Sequence, residues 1–107
     1  MTPNTRNWSA WIDLQPPGPP ALHVIGEVEV SASNKRPVLR EASPQGINPE
    51  ILLLDLSIQD TGGIGTPAFE YKEVRFDKSP VRARQYSTVQ IRWEGNDIES
   101  VNVGETQ

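Results

Sequence analysis

Four groups of residues in this 107-residue chain carry side chains suited to catalysis or recognition. Asp60-Thr61-Gly62 sets a carboxylate at the head of a glycine-rich stretch, where it could act as an acid or a base. His23 is the single histidine and there is no cysteine. One imidazole without thiolates gives no ligand spacing for a metal, so no cofactor is expected. Arg82, Arg84, Tyr86, Gln90 and Arg92 share the parity of an alternating run, and an extended chain would put them on one face. Cations around an aromatic ring on a sheet face can hold single-stranded nucleic acid by phosphate contact and stacking; the same row can meet an acidic partner protein. Trp11 falls on the Ser9/Asp13 side of its segment. With Tyr86 it would form a platform for a sugar ring, or it packs against the adjacent proline loop.

Asp60-Thr61-Gly62 resembles the Asp-Thr-Gly of retroviral-type aspartic proteases, whose subunits have about this length. The resemblance implies a dimer in which two copies of Asp60 share a proton as acid and base, with Thr61 bracing the pair. It covers three residues. That family runs an apolar strand directly into the aspartate, where this chain has Gln59. A glycine-rich turn opened by Asp60 accounts for the same residues. His23 lies opposite an apolar face, and its parity reads as an exposed strand position.

Charge narrows the partners. The net charge is -4 and the pI about 4.9, which counts against a polyanion as ligand. The distribution is uneven: residues 71–93 hold six cations (Lys72, Arg75, Lys78, Arg82, Arg84 and Arg92) against Glu73 and Asp77. No apolar stretch is long enough for a membrane-spanning helix. The lack of cysteine, and of an apolar segment after Met1, favours the cytoplasm.

The elements that must position these residues are strands. Ten prolines punctuate the chain and would interrupt helices. Residues 1–7 read as a polar tail. Trp8, Ala10, Ile12 and Leu14 form the apolar face of a first strand, and Pro16-Pro17-Gly18-Pro19-Pro20 a polyproline loop, readable also as a PxxP ligand. Leu22, Val24, Gly26, Val28 and Val30 alternate in a second strand, whose length and Gly26 predict a bulge or bend midway. Residues 38–41 suit a short edge strand. Residues 51–58, apolar on both parities at first, suit a central strand covered on both sides. In residues 68–76 the apolar phase slips between Tyr71 and Val74, which predicts a second bulge. Residues 81–93 alternate throughout, and Glu94-Gly95-Asn96-Asp97 marks a hairpin turn.

This pattern predicts an all-β chain: a flexible tail (1–7), then one antiparallel β-sandwich domain (8–107) of six to seven strands, immunoglobulin-like in broad architecture, with a small β-barrel as the alternative. The favoured function is a non-catalytic binding module for another protein, acting through Trp11, Arg82, Arg84, Tyr86 and Arg92. Carbohydrate binding through Trp11 and Tyr86 is the second reading, and Asp60 hydrolysis the third. Strand patterning carries no information on oligomeric state.

Overall fold

Seven strands and no helix build the described residues, 2–106, in a computed structural model. They are β1 (Thr5–Asp13), β2 (Ala21–Ala32), β3 (Lys35–Glu41), β4 (Ile51–Asp60), β5 (Pro67–Lys78), β6 (Thr88–Trp93) and β7 (Asn96–Thr106). They form one sheet in the order β3-β4-β6-β7-β1-β2-β5, nearly closed into a barrel. The all-β reading holds, and the small barrel describes the sheet better than the two-sheet, immunoglobulin-like sandwich. The reason is β7. Residues 96–102 pair antiparallel with β6, and residues 103–106 pair parallel with β1. One long strand thereby carries the sheet across the place where a sandwich would divide. The β4–β6 junction is also parallel, so the sheet is mixed rather than purely antiparallel.

The two remaining edges, β3 and β5, face each other and are joined by side chains. Lys72 Nζ donates to the carbonyl oxygens of Ser33 and Lys35, each at 2.8 Å. Lys78 Nζ meets Glu41 Oε1 at 3.0 Å at the other end of the seam. Pro37, on β3, has no N–H to offer a passing strand. Lysine and proline on an edge oppose pairing with another chain. Lys72→Met keeps the apolar stem but removes both bonds. We expect a loss of about 1 kcal/mol in thermal melts, together with larger species in light scattering as the β3 edge opens.

The core is a single cluster. Ile12, Leu22, Val24, Val28, Leu52, Leu54, Val89 and Ile91 are wholly buried within it. Three consecutive leucines, 52–54, are buried on β4. Leu52 and Leu54 face the core, while Leu53 is covered from outside by the loop between β3 and β4. There the Gln45 side chain donates to the carbonyls of Ala42 (2.7 Å) and Leu53 (2.9 Å) and accepts from the Leu53 amide (2.8 Å). The coverage predicted for both faces thus comes from a loop on one side.

Several local expectations are corrected. β1 begins at Thr5, so residues 5–7 belong to the first strand and not to the tail. The irregularity expected at Gly26 lies on the facing strand. The β1–β2 register shifts between Arg6 and Ser9, where Asn7 has φ 58°, while β2 stays regular against β5 through Gly26. Gly26 instead leaves room for the Trp8 ring. No bulge separates Tyr71 from Val74 either. Phe69 simply points outward, 78% exposed, and Tyr71 lies under the Arg6 guanidinium, 3.8 Å from the ring centroid.

Candidate functional site

The basic row does not exist as a surface. Residues 81–87 are a loop, not the first half of a strand. Val81 N–H donates to the Pro20 carbonyl, Gln85 N–H returns to Arg82 O, and Arg84 takes φ 60°. Alternation sorts side chains between two faces only while the backbone stays extended, so this turn resets the parity. Tyr86, expected outside, is 9% exposed within the core cluster. Arg92 is half-buried and pairs with Asp55 on β4 (Nε to Oδ1, 3.1 Å). Arg84, with its side chain 89% exposed, lies 3.8 Å from Glu105, a contact of little energetic weight. Arg82 is exposed, and its own amide donates to Gln85 Oε1 at 2.8 Å. Three cations and a ring drawn together by parity are therefore dispersed.

Asp60 ends β4, and its exposed carboxylate is engaged by the Lys35 ammonium, its register partner on β3. Thr61 donates through both its amide (2.8 Å) and its hydroxyl (3.1 Å) to the Asn34 carbonyl. Gly62 (φ 90°) and Gly63 (φ 73°) then turn the chain through left-handed backbone that favours glycine. Thr61 thus braces a turn against the β2–β3 connection rather than the aspartate.

Trp11 finds a different partner from the one its type suggested. It is half-buried on the outside of the barrel, with His23 as its register neighbour on β2. The two ring centroids are 5.5 Å apart and the planes tilt by 43°. His23 in turn is the register partner of Asp77 on β5. His23 Nδ1 lies 2.6 Å from Asp77 Oδ1. Facing a carboxylate, which only accepts, Nδ1 carries the proton and donates. Arg75 Nε donates to both Asp77 oxygens, at 3.2 and 3.1 Å. Three strands thereby align Trp11, His23 and Asp77 in one outward row, with Arg75 alongside. Gly104, the neighbour of Trp11 on β7, adds no side chain beside the indole.

The electrostatics keep the row charged. Burial disfavours the Asp77 carboxylate, but the hydrogen bonds from His23 and Arg75 together outweigh it, so its pKa lies below the ordinary value. The sign follows. Stability from this depressed pKa is present above the unfolded value and is lost as pH falls through the folded one. Asp77 is therefore an anion with unspent lone pairs at neutral pH. Among the described residues Arg75 donates through Nε alone, leaving its terminal N–H groups available. An apolar aromatic shelf bordered by acceptors and a planar donor fork is suited to a flat ligand with apolar faces and hydroxylated edges.

His23, Asp77 and Arg75 were not singled out by the sequence as a group. His23 and Asp77 are 54 positions apart, and only the β2–β5 register joins them. No protein-family model matches this chain, no curated protein matches it, and no solved structure matches it. The site is therefore read from its chemistry.

Proposed function

We propose that this protein is a non-catalytic binding module whose ligand is a carbohydrate, held on the outward row of Trp11, His23, Asp77 and Arg75. The observation that carries the reading is the tilted Trp11–His23 pair with the Asp77–Arg75 ion pair at its edge. A pyranose ring has an apolar C–H face that can lie on the indole, where large aromatic area is available at little conformational cost. Its rim hydroxyls can donate to Asp77 and accept from Arg75, whose planar fork matches two adjacent oxygens. Strand backbone on three sides fixes these groups, so little ordering entropy opposes binding. The shelf is open, which suits one face of an extended glycan rather than an enclosed monosaccharide.

A glycan array probed with wild type, Trp11→Ala and Asp77→Asn tests this. Wild type should retain a defined glycan set. Trp11→Ala should lose it, at least roughly tenfold in affinity, with little change in melting temperature because the ring is outside the core. No bound glycan, or equal binding by Trp11→Ala, would overturn the proposal.

A further inference from the structure

A second surface lies where β1 and β7 part. Their parallel pairing covers only residues 10–13 and 103–106. Below it the strands diverge, β1 held by β2 and β7 held by β6. Between them is an open groove lined by Asn7, Trp8 and Ser9 on one wall and Glu99, Ser100 and Asn102 on the other. Below that pairing, the β1 side of β7 has no ladder partner among the described residues. Val103 N–H donates toward β6, to Ser87 O at 3.0 Å, whereas Thr106 O accepts from Leu14 N–H on the β1 side at 2.8 Å. Successive peptide groups of a strand alternate sides. Ser100 and Asn102 share the parity of Thr106, so the Ser100 N–H and C=O and the Asn102 N–H face the groove, while the Asn102 carbonyl faces the Ala10 amide at the end of the parallel ladder.

This edge lacks the protection of the others. The β3–β5 seam carries Pro37, Lys72 and Lys78, while the groove presents short side chains at Ser100 and Asn102 and no proline or lysine. We infer that the β1–β7 fork accepts an extended, basic segment of a partner protein, which adds to β7 as a strand. Charge selects the occupant. Glu94, Asp97 and Glu99 at the β6–β7 hairpin are exposed and form no ion pair among the described residues. Arg6 on the opposite wall is already committed to Glu27 at 2.9 Å. A second copy of this chain would bring like charges together, whereas lysine or arginine at alternate positions of an incoming strand would meet them with opposite charge.

The probe is a displayed library of random peptides about a dozen residues long, ample for one strand, selected on the intact protein. Enriched sequences should alternate apolar and basic residues. Ser100→Pro removes one groove-facing donor without touching a bond to β6, and should weaken binding roughly tenfold. Ser100→Ala should bind as wild type, and Glu99→Lys should bind more weakly. Hydrogen exchange on the wild-type complex should show slowed amides at Ser100 and Asn102, a readout that stands even if Ser100→Pro fails to fold. The inference is overturned if no sequence is enriched, if the selected peptides are acidic, if the Ser100 and Asn102 amides exchange unchanged, or if light scattering shows that the fork is filled by a second copy.

Discussion

Tyr86→Ala is expected to cost about 3 kcal/mol, the range for truncating a large ring in a core, and to lower the melting temperature by roughly 10–20 °C at this chain length. The ring is 9% exposed and packs within the main cluster, although its position in the sequence reads as surface. Its neighbour on the sequence-predicted row gives the contrast. Arg82→Ala should change stability by no more than about 0.5 kcal/mol, because that side chain is exposed and unpaired among the described residues. Thermal melts of the two variants separate a buried from a surface Tyr86, and equal, small effects would contradict the core placement. Tyr86→Phe sharpens the comparison by keeping the ring and removing the hydroxyl. Burial opposes the charge on Lys78, but hydrogen bonds to Glu41 and then Tyr86 outweigh it and raise the lysine pKa. Support from a raised pKa is fully present below the unfolded value of 10.5 and disappears as pH rises through the folded one. The deficit of Tyr86→Phe should therefore be largest near neutral pH and shrink in strong alkali.

The contrast between Tyr86 and Arg82 shows what kind of information alternation holds. β2 and the start of β4 are legible because one face is buried for the whole length of the strand, so parity and environment agree. Residues 81–87 alternate equally well, yet Arg82 to Gln85 form a turn and Arg84 is left-handed. A loop can carry an alternating composition without an extended backbone, and nothing local distinguishes the two. The same limit explains the sheet. Two sheets or one depends on β7 exchanging β6 for β1 along its length, a property of pairing and not of composition. At the candidate site, Trp11 stands out because an aromatic on a polar parity is unusual. Its partners do not, since His23 reads as an ordinary exposed strand residue and Asp77 as one charge among several. Register is what makes them a row.

Gly26 and Trp8 should be strongly coupled, and the coupling tests why a glycine stands in the middle of the longest inner face. A Cβ on Gly26 would come within 2.3 Å of Trp8 Cε3, with two more ring atoms at 2.5 and 2.6 Å. The indole has little freedom to retreat. Its Nε1 donates to Thr5 Oγ1 at 3.0 Å, and the β1 irregularity beside it is pinned by Asn7 Nδ2 donating to Glu27 Oε1 at 2.7 Å. Gly26→Ala should thus cost about 2–3 kcal/mol through overpacking, or roughly 10–15 °C in melting temperature. Trp8→Ala removes the obstacle. In that background the added methyl should be neutral or stabilising by up to about 1 kcal/mol, because glycine weakens a strand through its backbone entropy. The double-mutant cycle should therefore show an interaction of about 2–3 kcal/mol. A glycine kept for backbone flexibility gives the opposite result: alanine would carry the same penalty with or without the indole, and the two costs would add. β2 remains regular at Gly26, with its φ outside the left-handed region, which leaves close approach of the ring as the reason for glycine here.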